Sequence, residues 1–138
     1  MSDPFDLERF VDAQAPVFAQ VISELRAGAK RSHWMWFVFP QIEGLGRSAM
    51  AQRYAIASRA EAEAYLRHPT LGPRLRECTR LVCLTEGRSA HQIFGAPDDL
   101  KFHSSMTLFA EIAPNDIFGE ALTKYFGGQT DPATIERL

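Results

Sequence analysis

Apolar residues in the N-terminal part of the chain, from about Asp6 to Ala27, are spaced as on one face of a helix. Pro16 should kink this helix or split it in two, because proline has no amide hydrogen to donate and clashes with the preceding turn. Gly28 follows as a natural C-terminal stop. The pattern therefore predicts one or two helices before residue 28.

The next apolar stretch, from His33 to Phe39, repeats neither every two residues nor every 3.6, and Pro40 ends it. A buried strand and a buried helical turn both show such an unbroken run, so periodicity does not decide between them. The prediction therefore allows a short extended segment near residues 35–42 in a chain whose other signals are helical.

Two capping boxes indicate helix starts in the middle of the chain. The patterns S-x-x-E and S-x-x-Q begin at Ser58 and Ser89, and each can satisfy free amides of a first helical turn. The first box predicts a helix that ends near Arg67, and Pro69 suits the first turn of the helix that follows.

Acidic and proline residues indicate three further helix starts. Pro97, followed by two aspartates, should open a helix through about Ala113, because acidic side chains favour a helix N-terminus. Asn115 can cap a helix that stops before Gly127, and Asp131 precedes a proline at a first helical position. Six to eight helices and no convincing pair of strands predict an all-α fold.

The composition is typical of one folded, soluble unit. At 138 residues, with 46% hydrophobic and 23% charged residues, the chain has the size and balance of a single helical domain covering residues 1–138. No apolar run approaches the about 20 residues that cross a bilayer, and the N-terminus lacks a signal-peptide pattern, which favours a cytoplasmic location without membrane contact. A formal net charge of −2 argues against nucleic acid as a partner, since general nucleic-acid binders are usually basic.

The two cysteines, Cys78 and Cys83, fall on one predicted helix. Five residues of helix separate them by about 140°, so they should not bridge each other and are expected to be reduced. The chain contains no paired-cysteine metal pattern and no H-E-x-x-H, so neither a metal nor a cofactor is implied.

Two cations, an imidazole and two indoles lie within seven residues and form the densest set of chemically versatile side chains. They are Lys30, Arg31, His33, Trp34 and Trp36, and the segment leads to Gln41. The cations could neutralise a phosphate, the indoles could stack on a ring, and the imidazole could carry a proton. The plainer interpretation places the indoles in the core and the cations at a helix boundary, as aromatic clusters are more often core than site.

A glycine-rich stretch follows at residues 44–49. It satisfies the permissive dinucleotide pattern G-x-G-x-x-A, but Pro40 interrupts the preceding strand candidate and no βαβ unit follows, which disfavours a Rossmann fold. Backbone amides of such a turn can still converge on an anion, with Arg47 and Ser48 as further donors. The alternative is an ordinary turn.

Polar side chains also border the apolar face of the helix predicted after Pro97. Ser105 lies inside the apolar stripe, while Asp98 and Lys101 flank it. Polar groups beside a buried face need partners, which could be a ligand shared with the two segments above. Equally, Asp98 and Lys101 could form a local ion pair while Ser105 bonds a backbone carbonyl.

Several strings between about Phe10 and Phe126 carry a resemblance to a known family. They include RSHWMWFVFPQ at 31–41, GLGRS at 44–48 and DDLKFHSSMTLF at 98–109. This pattern resembles the bacterial family designated domain of unknown function 1810. The resemblance implies a mainly α-helical fold and brings no activity, cofactor or catalytic residue. Some members carry the label calpastatin, but calpastatin-type inhibitors are long and disordered, unlike a chain of this composition.

The sequence leaves three hypotheses for the function. The favoured hypothesis is a site, with or without catalysis, for a small anionic ligand of which nucleotides are one class. His33 or Asp98 would then carry a proton, and the three segments would have to meet in one partly open cleft with an exposed indole. The alternative is a protein-interaction module, which predicts an apolar patch larger than a few hundred Å². Nucleic-acid binding through the basic cluster ranks third and would depend on salt.

Overall fold

The computed structural model describes residues 3–138, and this part of the chain contains ten α-helices. They are α1 Glu8–Gln14, α2 Phe18–Arg26, α3 Met35–Val38, α4 Ala49–Arg53, α5 Arg59–Arg67, α6 Leu71–Leu84, α7 Ala90–Phe94, α8 Asp98–Ile112, α9 Ile117–Phe126 and α10 Pro132–Glu136. The all-α prediction is confirmed, whereas the predicted number of six to eight helices is too low. The difference arises from short helices, such as α3 with 4 residues and α4 with 5, which are too brief to show a period.

The predicted N-terminal helix is split around Pro16 into α1 and α2. The amide of Val17 then bonds the carbonyl of Gln14 at 3.0 Å, and a new helix starts one residue later. Gly28 adopts a left-handed conformation with φ of 70°, which stops the chain from continuing as α2.

The hydrophobic run that ends at Pro40 forms a helical turn rather than a strand. The amide of Val38 donates to the carbonyl of Trp34, the N-cap residue of α3, at 3.2 Å. Pro40 limits the turn, because the residue before a proline is disfavoured in the helical region. Extended pairing within residues 3–138 is confined to one isolated parallel bridge between Ile42 and Ile56.

The predicted helix caps are confirmed only in part. Ser58 caps α5, but Glu61 accepts the amide of Ala57 rather than that of Ser58, and Asp131 makes no side-chain cap bond to α10. Ser89 and Gln92 form the complete reciprocal box, with distances of 3.1 and 2.8 Å. Asp116, not the predicted Asn115, caps α9, and its carboxylate accepts the first helical amide at 2.7 Å. Gly127 ends α9 in the left-handed conformation.

Helix α8 is the central element of the fold. It packs against α5, α7, α9 and α10, and every residue from 104 to 109 is buried. Near its N-terminal end the ring of Phe102 lies 4.7 Å from that of Phe94 and 5.1 Å from that of Phe39. This aromatic packing holds the N-terminal part of α8 against α7 and against the end of α3.

Both cysteines of α6 are free thiols, in agreement with their predicted angular separation. Burial raises the pKa of Cys78 to about 12, so this thiol stays protonated. Within the described chain, no helix combines the length and the apolar character needed to span a bilayer.

Candidate functional site

A cleft of about 360 Å³ lies between the 30–36 segment and the start of α8, and we call it the basic cleft. Its lining residues are 30–33, 35, 36, 96–98 and 101. The volume lies near the lower end of the range for small-molecule sites. Two of the three segments with predicted chemistry therefore meet in one cavity, while the glycine-rich stretch at 44–49 lines no part of it.

The carboxylate of Glu24, on α2, holds one wall of the basic cleft in place. Its Oε1 accepts the backbone amides of Arg31 at 2.7 Å and Ser32 at 3.0 Å, and the indole N–H of Trp34 at 3.0 Å. Its Oε2 accepts the Ser32 hydroxyl at 2.6 Å and the side-chain amide of Gln20 at 2.8 Å. Five donors thus converge on a residue that is only 3% exposed.

These contacts also determine the charge state of Glu24. Burial alone would raise its pKa, because the ionised carboxylate loses hydration. The hydrogen bonds from Ser32, Arg31, Gln20 and Trp34 outweigh burial and lower the pKa to about 2. Since charge-assisted hydrogen bonds are the stronger kind, the wall formed by residues 31–34 is fixed before any ligand arrives.

Two lysines and one aspartate line the basic cleft, and each lysine ammonium lies over a tryptophan ring. Asp98 Oδ2 lies 2.7 Å from the ammonium of Lys30, and its Oδ1 lies 3.6 Å from that of Lys101. Each ammonium also lies 5.1 Å from an indole centroid, Lys30 over Trp34 and Lys101 over Trp36. The Lys101 side chain is 23% exposed and that of Lys30 only 7%, so Lys101 is the cation that a ligand can reach.

Arg31 and His33 supply the polar groups that have no internal partner. Both residues are exposed and line the basic cleft. Among residues 3–138, neither the guanidinium nor the imidazole makes a hydrogen bond or an ion pair, whereas the Arg31 backbone amide is held by Glu24. Within residues 3–138 the lining side chains comprise three cations and one carboxylate, which favours an anionic ligand.

The two tryptophans differ in their access to solvent. Trp34 is 1% exposed and its N–H is bound to Glu24, so this indole belongs to the core and is not available for stacking. Trp36 is partly exposed and lines the basic cleft. Of the two indoles suggested for stacking on a ligand ring, the geometry therefore retains Trp36.

Four other predicted ligand residues lie outside the basic cleft. Gln41 and Arg47 line a separate groove of about 490 Å³ beside α4. The Ser48 hydroxyl accepts the amide of Ala51 at 3.1 Å and so caps α4. Ser105 is fully buried within α8, and its hydroxyl has no hydrogen-bond partner within residues 3–138.

Glu24 is the functional candidate that the sequence pattern did not identify. It lies between buried Val21 and Leu25, at the edge of the apolar face of α2. A carboxylate in such a position needs polar partners once the helix packs. This requirement is the sequence signal by which Glu24 could have been identified. Its partners come from a segment that only the fold brings beside α2.

The fold and the basic cleft define an all-helical protein with a preformed, mainly cationic pocket of metabolite size. The chain belongs to the family described as Protein of unknown function (DUF1810), whose family model matches residues 4–138. It is similar to the conserved hypothetical protein Rv1873 from Mycobacterium tuberculosis, whose crystal structure is known at 1.38 Å resolution. The two sequences are 60% identical, with a TM-score of 0.97 and coverage of 99% of this chain and 98% of that chain. No curated protein matches the chain.

Proposed function

We propose that the basic cleft binds a small anionic ligand of metabolite size, nucleotides being one such class. The observation that carries this proposal is the convergence of Arg31, His33 and Lys101 on one cavity that also exposes part of the Trp36 indole. A guanidinium can pair with two oxygens of a phosphate or carboxylate, and an aromatic face can bind a flat ring.

The side chains of the basic cleft have different roles in this proposal. Arg31 and Lys101 contact the anionic group, because both are accessible from the cavity. Trp36 packs against the body of the ligand. Lys30 is a positioning residue, since its nearly buried ammonium is already bound to Asp98.

A chemical step at this site would need a group that can exchange a proton. His33 is the stronger candidate, because its ring is exposed and has no internal partner within residues 3–138. Asp98 is the weaker one, since both of its oxygens face lysines. The proposed function is binding, and a chemical step on the ligand would rely on His33.

A protein-interaction module is the alternative function, and it calls for a sizeable exposed apolar patch. Within residues 3–138 the exposed large apolar side chains are Leu84, Leu100 and Ile135. They lie on three different helices, α6, α8 and α10. We rank this alternative second, because the polar cavity offers more specific contacts.

Binding is tested by thermal unfolding in the presence of nucleotides, sugar phosphates and small carboxylic acids. A ligand at about 100 times its Kd should add roughly 2.7 kcal/mol to the free energy of unfolding. This stabilisation should disappear in Arg31→Ala and Trp36→Ala. It should persist in Arg47→Ala, the matched control, which removes an exposed arginine from the separate groove.

Two outcomes count against the proposal. The first is the absence of stabilisation by every compound in the screen. The second is a ligand whose effect disappears in Arg47→Ala but persists in Arg31→Ala. Circular dichroism of each variant shows whether a lost effect reflects lost binding or a lost fold.

A further inference from the structure

The charge that the basic cleft presents can be read from a small set of side chains. They are the charged residues that line the cleft and the carboxylate bound to its wall. Within residues 3–138 this set contains the cations Lys30, Arg31 and Lys101 and the carboxylates of Asp98 and Glu24. Three cations against two carboxylates leave one net positive charge.

Asp98 is held among these side chains by its contacts with the two lysines. Lys30 holds it at 2.7 Å, and the Lys30 ammonium lies over Trp34, whose indole is bound in turn to Glu24. Asp98 is also the first residue of α8, a 15-residue helix packed against four others. The carboxylate therefore stays beside Lys101 when a ligand enters.

We propose that Asp98 is the specificity-determining residue of the basic cleft. It acts as the internal counter-ion of Lys30 and Lys101 and so restricts the cleft to ligands whose anionic group carries a single negative charge, such as a phosphodiester or a carboxylate. This inference rests on the proposed function and narrows the ligand class for the same site: among nucleotides it favours those whose phosphate is a diester, and it disfavours phosphomonoesters such as mononucleotides and sugar phosphates. A second negative charge on the ligand would lie close to Asp98 with no further cation to offset it.

The test compares two probes that differ in charge, dimethyl phosphate with one negative charge and methyl phosphate with two at pH 8. Binding is followed by NMR at constant ionic strength, through the indole N–H signal of Trp36, one of only two indoles in the chain. The unmodified protein should bind dimethyl phosphate more tightly than methyl phosphate. Asp98→Asn should reverse this order and bind methyl phosphate roughly tenfold more tightly than the unmodified protein does.

Two further variants keep the test informative if Asp98→Asn does not fold. Ala96→Lys adds a cation at an exposed position of the cleft and keeps both partners of the Lys30–Asp98 ion pair, so it should also shift the preference towards methyl phosphate. Lys30→Met with Asp98→Asn keeps the net charge of the cleft and should keep the preference for dimethyl phosphate. Asp99→Asn is the matched control, because Asp99 pairs with His91 rather than with the lysines.

The results separate this inference from the proposed function. If the Trp36 signal responds but the unmodified protein prefers methyl phosphate, or if Asp98→Asn and Ala96→Lys leave the order of the probes unchanged, the role of Asp98 is overturned while the anion site stands. If neither probe moves the Trp36 signal in any variant, the anion site and the role of Asp98 are both overturned.

Discussion

The indole N–H of Trp34 donates to Oε1 of Glu24 across 3.0 Å, and this bond joins helix α2 to the wall of the basic cleft. The same carboxylate binds the backbone of Arg31, whose guanidinium is free within residues 3–138. A core indole and a cleft cation are therefore positioned by one buried acid. Preorganisation of this kind reduces the ordering that a ligand would otherwise have to impose on the segment.

Glu24→Gln should lower the free energy of unfolding by about 2–3 kcal/mol. A glutamine side chain has one acceptor oxygen and one NH₂ group, so it cannot accept the donors of Ser32 and Gln20 that now meet Oε2. Urea unfolding measures the change. Glu111→Gln, at an exposed position of α8, is the control and should change stability by less than about 0.5 kcal/mol.

The lowered pKa of Glu24 predicts that the free energy of unfolding falls in acid. Its pKa is lowered to about 2 in the folded protein from 4.5, so the unfolded chain binds more protons between these values. The contribution of Glu24 is then fully present above about pH 4.5 and is lost as the pH falls towards 2. The stability difference between the unmodified protein and Glu24→Gln should shrink between about pH 6 and pH 2.5, as measured by urea unfolding at each pH. A difference that stays constant would show that the carboxylate is not strongly hydrogen-bonded.

Local signals predicted much of the fold, because they depend on residues close in sequence. The capping box of Ser89 and Gln92 needs only a separation of three residues, and the split at Pro16 follows from one side chain. Of the three segments that were predicted to meet, the 30–36 segment and the start of α8 line one cavity, and the binding of a ligand there stays a prediction. The role of Glu24 and the separate location of Arg47 depend on how helices that are distant in sequence pack together. Local sequence patterns do not predict this packing.

Arg9 provides a second long-range link that a conservative substitution can test. Its guanidinium donates to the backbone carbonyls of Arg53 and Ala55, both at 2.8 Å, and to the carboxylate of Glu61 at 2.8 Å. Arg9→Lys should lower the free energy of unfolding by about 2 kcal/mol, because an ammonium cannot reproduce this fork of donors. Chemical denaturation measures the loss, and Arg59→Lys at an exposed position is the control. Equal stability of the two variants would mean that the Arg9 contacts contribute little.

The two tryptophans should respond differently to a soluble quencher. Trp34 is 1% exposed and Trp36 is partly exposed, so acrylamide should quench only part of the fluorescence of the unmodified protein. In Trp36→Phe the remaining emission should be almost fully protected. If this variant is quenched as strongly as the unmodified protein, Trp34 is accessible and its assignment to the core is wrong.

Alanine substitutions of the adjacent serines Ser104 and Ser105 on α8 should have different effects on the free energy of unfolding. The hydroxyl of Ser104 lies 2.8 Å from the Asp131 carboxylate, so Ser104→Ala should cost about 1.5–3 kcal/mol, the usual range for a hydrogen bond to a charged group. The buried hydroxyl of Ser105 has no partner within residues 3–138, so Ser105→Ala should be neutral or stabilise the protein by up to about 1 kcal/mol. Urea unfolding of both variants measures the difference. A loss of more than about 1 kcal/mol in Ser105→Ala would reveal an internal partner, such as a bound water. Loss of ligand stabilisation in that variant, with its fold intact, would instead place Ser105 in the binding site.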